Sequence, residues 1–151
     1  MGYSIFMLQS DFFLAREHHH LALAAIRQIV HHDANSSKHK PHFAFIDEVA
    51  LLQASTLQEM FEAWRWFSDE DDDGNITSLE FTGEKLGDDE YLFEAIASFV
   101  REGCYIQFAG ENGKIWRWYF TGGKVQAQVG DVVYRNVDLD QLIEICFPTK
   151  S

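Results

Sequence analysis

Basic residues are scarce in this chain, with 12 Lys and Arg against 24 Asp and Glu. A surface with a formal charge of -12 repels phosphate backbones, which argues against direct nucleic-acid binding. Long apolar runs are missing too. The longest is a few residues, far short of the roughly 20 that a membrane-spanning helix needs. The opening MGYSIFMLQSDFF lacks a basic region followed by a long apolar stretch, so it does not read as a signal peptide. Gly2 raises myristoylation, but Phe6 stands where that motif needs Ser or Thr. There are only two cysteines, Cys104 and Cys146, with no metal or redox spacing. They read as buried free thiols of a cytoplasmic protein. Nucleophile elbows, phosphate loops and nucleotide fingerprints are all absent. Many carboxylates are present, but no spacing selects a catalytic pair.

Apolar content, by contrast, is ample. Hydrophobic residues make up 46% of the 151 and aromatics 15%, enough for one well-packed domain over residues 1–151. Tyr3 to Leu14 reads as a strand. A helix follows from Ala15, with Leu23, Ile26 and Val30 at helical spacing. HHDANSSKHKPH, residues 31–42, is a polar loop, and HFAFID a short strand. A second helix is expected near Ser55, where a capping box from Ser55 to Gln58 precedes the stripe Leu57, Met60, Phe61 and Trp64. ITSLEFTG alternates as a strand. Asp88 and Asp89 can cap a third helix carrying Leu92, Ile96, Phe99 and Val100. CYIQFAG, KIWRWYFTG and KVQAQVG are strands joined at Asn112-Gly113 and Gly122-Gly123. A last helix from about Asp138 carries Leu139, Leu142, Ile143 and Cys146 as its buried stripe, and Pro148 ends it. The fold class is α+β, with a largely antiparallel sheet of about six strands and helices on one face.

A short internal repeat accompanies these elements. MFEA at 60–63 matches LFEA at 92–95, and DGNITSLEF at 73–81 matches NGKIWRWYF at 112–120. The repeating unit would be a helix followed by a β-hairpin.

The segment SDEDDDGNITSLEF poses the sharpest question. Counted from Asp69, it places Asp69, Asp71, Asp73, Asn75, Thr77 and Glu80 at the ligand positions of a calcium-binding EF-hand loop, with Gly74 at the turn. Calcium is therefore the one cofactor that the sequence raises. Two features favour a hairpin instead. The repeat aligns Asp73-Gly74 with Asn112-Gly113, a favoured hairpin turn needing positive φ. An EF-hand also needs an exit helix, whereas FTGEKLGDD carries Gly83 and Gly87 and follows β-favouring residues.

Seven histidines stand out. His18, His19 and His20 are consecutive on a helix and so point in three directions. His31, His32, His39 and His42 lie around a helix end and loop, a poor frame for a metal site, and His31 and His32 suit the helix dipole better. In WRWYF, Trp116, Trp118 and Phe120 share one strand face, and Arg117 and Tyr119 the other. That pattern is a core face backed by a solvated face, or else an aromatic surface for a partner.

Charge is also unevenly placed. Residues 1–45 have a net charge of +1 (four bases, three acids), and residues 46–151 a net of -13 (eight bases, 21 acids). Asp69, Asp71, Asp72, Asp73, Glu84, Asp88, Asp89 and Glu90 form an acidic belt suited to a basic protein surface.

Four strings, STLQEMFEAWRW, DDDGNI, FTGEKLGDDEYLFEAIASFV and GCYIQFAGENGKIWRWYFTGGKV, resemble a family of small bacterial and phage-borne proteins with no assigned activity. The resemblance covers roughly residues 43–126 and carries no catalytic or binding residue. It implies an accessory role in a mobile element. From the residues, the expectation is a noncatalytic acidic binding protein; a calcium module or an enzyme with an unrecognised site are the alternatives.

Overall fold

The computed structural model describes residues 4–31, 46–83 and 88–148. The helices are α1 (His19–His31), α2 (Glu48–Gln53), α3 (Leu57–Ala63), α4 (Asp89–Ile96) and α5 (Leu139–Cys146). The strands are β1 (Ile5–Met7), β2 (Trp66–Glu70), β3 (Ile76–Phe81), β4 (Tyr105–Gly110), β5 (Ile115–Thr121) and β6 (Lys124–Gly130). The class is α+β with antiparallel pairing throughout, as the sequence indicates. The six strands do not form one sheet, however. Four lie in the order β1-β4-β5-β6, and β2 and β3 make a separate hairpin.

The long strand expected over Tyr3–Leu14 explains this division. Among its described residues only Ile5–Met7 is a strand; residues 8–14 form a strap with single bridges at Asp11 and Leu14. Asp11 exchanges two backbone hydrogen bonds with Tyr105, and Leu14 exchanges two with Ile76. The strap therefore ties the four-stranded sheet to the hairpin, and Leu14 is fully buried between them.

Two helix–hairpin units follow one another: α3 with β2–β3, then α4 with β4–β5. Their turns share one geometry. The Asp71 amide donates to the Asn75 carbonyl, and the Gly74 amide to the Asp71 carbonyl. Likewise, the Gly110 amide donates to the Lys114 carbonyl, and the Gly113 amide to the Gly110 carbonyl. Gly74 and Gly113 have φ of +83° and +81°, whereas Asp73 and Asn112 do not take positive φ. Each is thus a three-residue turn closed by a left-handed glycine, not the two-residue type expected.

The helix before the first hairpin starts one residue later than its capping signal suggests. Thr56 is the N-cap, its Oγ accepting from the Glu59 amide at 3.1 Å. The Glu59 carboxylate reaches back to the Ser55 amide at 2.8 Å and its hydroxyl at 3.0 Å. Leu57, Met60, Phe61 and Trp64 are all buried, as their spacing requires.

Trp66 is the centre of the core. Its ring lies 5.0 Å from Phe81, 5.1 Å from Phe93, 6.0 Å from Phe108 and 6.5 Å from Trp118. One side chain thus joins the hairpin, α4 and the main sheet, mostly by the edge-on geometry that aromatic quadrupoles favour. Trp118 and Phe120 are buried, and Trp116 stacks on Phe108 at 4.8 Å, so this strand face belongs to the core.

The C-terminal helix departs most from expectation. Asp138 caps α5 with a complete capping box through Gln141, but no residue of the helix is buried. Leu139, Leu142, Ile143 and Cys146, read as a buried stripe, are all exposed in the single chain. Of the two cysteines, only Cys104 is buried.

Candidate binding surface

The acidic segment forms the outer end of the β2–β3 hairpin. Asp69 pairs with Ser78, and a bulge between Asp69 and Glu70 shifts the register so that Glu70 meets Ile76. Bulges twist a hairpin and re-aim its tip. Asp69, Glu70, Asp71, Asp72, Asp73 and Glu80 are all exposed.

Asp71 builds the turn. Its Oδ1 accepts from the Asn75 amide at 2.9 Å and the Asp73 amide at 3.0 Å, while Oδ2 accepts from the Asn75 side chain at 3.0 Å. The bonds from Asn75, side chain first, hold this carboxyl below its ordinary pKa. Asn75 Oδ1 in turn accepts from the Arg16 amide at 2.9 Å, docking the start of the first helical segment against the tip. The Arg16 side chain lies against Gly74, where an added Cβ would come within 2.9 Å of its Cδ. Asp69 accepts from the Ser78 hydroxyl at 3.0 Å. The tip therefore presents carboxylates on a fixed backbone, and Asp72 and Asp73 stand at its apex.

The remaining belt residues are not alike. Glu90 is exposed and Asp88 half-buried at φ +57°; Glu84 lies outside the described residues. Asp89 corrects the expectation of a surface acid. It is fully buried, and its Oδ1 accepts from Trp66 Nε1 at 2.7 Å. Burial costs a carboxylate several kcal/mol unless polar partners answer it, as the indole N–H does here, and the Arg65 guanidinium interacts with it electrostatically. Asp89 belongs to the core, not to a partner contact. Glu70 and Glu80 are surface carboxylates that the belt omitted. Glu70 lay inside the acidic run, and the strand alternation alone placed Glu80 outward.

The six candidate calcium ligands do not sit on an EF-hand loop. The exit from the turn is β3, not a helix, and Glu80 pairs with Phe67 along the strand. Among the described residues, no three His, Cys, Asp or Glu side chains converge as a metal site would require. His18 packs its ring 5.9 Å from Phe99, and His19 is half-buried with Nε2 3.4 Å from the Leu14 carbonyl oxygen. Burial is the main cause holding the His19 pKa below its ordinary value. His32, His39 and His42 lie outside the described residues, as do residues 42–45 of HFAFID. No side-chain position is described for His31.

Two further surfaces bear on chemistry. An open groove beside the tip is lined by Ala15, Arg16, Glu17, His20 and Asn75. It holds a histidine and a carboxylate, yet Glu17 approaches His18 at 3.6 Å and its side chain is largely in solvent. On the outer face of the main sheet, Arg117 lies between the rings of Tyr105 and Tyr119, 5.2 and 5.1 Å away. Its Nε donates to Gln128 at 2.6 Å, so the guanidinium is held in the plane of a polar face. No described helix is long and apolar enough to cross a membrane. Compared with protein-family models, curated proteins and solved structures, the chain matches none.

Proposed function

We propose that this protein is a noncatalytic acidic binding protein whose β2–β3 tip engages a basic surface on another protein. One observation carries the reading: five consecutive acids, Asp69–Asp73, sit on an exposed hairpin end whose backbone Asp71 fixes. A preset turn loses little freedom on binding, and its field raises the encounter rate with a cationic patch. Glu80 and Glu90 extend the charge. The nucleic-acid backbone is disfavoured by the same field, so the basic target is a protein, and occupying it would block any phosphate site there. The absence of recognisable catalytic motifs and the family resemblance support a cytoplasmic inhibitor or accessory protein of a mobile element.

The test is affinity capture from host lysate with the full chain at low and moderate salt, compared with an Asp69→Asn/Asp72→Asn/Asp73→Asn variant. A basic partner held at low salt, released at moderate salt and lost with the variant is the expected result. Capture that ignores both salt and the variant would sink the reading.

A further inference from the structure

Nine of the 14 exposed large hydrophobics among the described residues fall between Val129 and Phe147, so their apolar exposure is concentrated toward one end. Gly130 ends β6, an edge strand of the main sheet. Residues 131–137 then run without helix or strand, and α5 follows. Tyr134 is 92% exposed and Phe147 75%, in a segment with no buried residue. A fully capped amphipathic helix with an uncovered stripe is built to lie against something.

The body of the molecule offers a seat. Helix α1 buries Ala22, Leu23 and Ile26, but Leu21, Ala25 and Ile29 form a second stripe at i, i+4 and i+8. A groove of about 500 Å³ runs beside it, with Tyr91, Glu94 and Ala95 of α4 on the far wall. Charge narrows the choice of seat. Helix α5 carries Asp140 and Glu144 and no base, while α2, α3 and α4 each carry carboxylates of their own. Only α1 among the described helices has no acid between its ends, so an acidic helix in the groove meets least repulsion with its carboxylates turned toward α1 and away from Glu94.

We propose that residues 131–148 are an exchange arm, and that α5 of one copy seats in the α1–α4 groove of a second copy, with Asp140 and Glu144 turned toward α1. Two such exchanges related by a twofold axis satisfy both arms and close the assembly. Eight apolar side chains offering on the order of 100 Å² each supply about 800 Å² per arm. A standard stable interface needs about 800 Å² per partner. The exchange does not depend on the acidic hairpin.

The experiment uses the full chain. Sedimentation equilibrium should give twice the chain mass for the natural protein, and the single-chain mass for Leu142→Asp/Ile143→Asp. Both substituted positions are exposed in the single chain, so folding, checked by circular dichroism, should survive. Cross-linking reads the seat directly. One copy carries Gln28→Cys with Cys146→Ser; the other keeps Cys146 and Gln28. Oxidising the mixture should give a disulfide-linked pair, lost when the second copy bears Leu142→Asp/Ile143→Asp. A monomer at every concentration, or a dimer indifferent to the double variant, would overturn the proposal. So would a Gln28→Cys single variant that links Cys146 only within its own chain, since α5 would then fold back on its own groove.

Discussion

Trp66 Nε1 donates to Asp89 Oδ1 at 2.7 Å, and this bond joins the first hairpin to the helix of the second unit inside the aromatic core. Neither residue is exposed to solvent. Trp66→Phe keeps most of the ring contacts but leaves a buried carboxylate short of a donor, and it opens a small cavity. The expected loss is about 3 kcal/mol, from a charged hydrogen bond plus lost packing. Asp89→Asn retains an acceptor for the indole and should cost less. Urea unfolding of both variants checks the order, and a larger loss for Asp89→Asn would contradict it.

Gly74→Ala should destabilise by about 1–2 kcal/mol, because φ is +83° and an L side chain is strained there. The new methyl would also displace Arg16. Gly113→Ala meets the same strain with open space around it, so it should cost less than Gly74→Ala. Thermal melts of the two variants give the comparison.

The Asp71 carboxyl is lowered by its bonds from Asn75, so its contribution is present above the unfolded value near pH 4 and is lost as pH falls through the folded value. Acidification should therefore speed amide exchange at Asp73 and Asn75 before the core responds. Asp71→Ala should show that faster exchange already at neutral pH. Hydrogen exchange read by NMR separates tip from core.

His19 is held neutral chiefly by burial. A lowered pKa means stability that is present above the unfolded value of about 6.5 and lost as pH falls from there through the folded value. Arg16, His18 and Glu70 face it, and burial outweighs the opposing pull of Glu70. His19→Gln should flatten the stability profile below about pH 6.5. Urea midpoints measured across that window give the slope; an unchanged slope would assign it elsewhere.

Cys104 is buried and burial pushes its thiol up, while Cys146 is exposed. Maleimide should label Cys146 in the folded protein and reach Cys104 only with denaturant. Mass spectrometry after timed quenching reads the order.

Local chemistry was legible in the sequence wherever it determined structure by itself. The stripe from Leu57 to Trp64, the alternation in WRWYF and the two glycine-closed turns all appear where period and turn residues place them. What was not legible depended on tertiary partners. β2 was hidden because an acidic run resembles a loop until Ile76–Phe81 pairs with it. Asp89 looked like its neighbours Asp88 and Glu90, since nothing local reveals that Trp66 waits 23 residues away. The strap over residues 8–14 resembled a strand because it is rich in apolar residues, yet it bridges only at Asp11 and Leu14, to two different sheets. The stripe of α5 was expected to be buried and is exposed, because periodicity shows that a face is apolar but not whether the same chain covers it. At the binding surface, the exposed acids were evident from charge alone, whereas the turn-building role of Asp71 required the geometry.

The strap also orders events in time. A ribosome releases β1 and Leu14 first, but their partners lie at Ile76, Val100 and residues 108–110. Leu14 can meet Ile76 once about half of the chain has emerged, but β1 remains unpaired until nearly three quarters has. The first hairpin can form before them, but the join between the two sheets is a late step with a large loop to close. Folding on the ribosome should therefore pass through an open stage in which α3 and β2–β3 are formed and the N-terminal segment is still exposed to proteases.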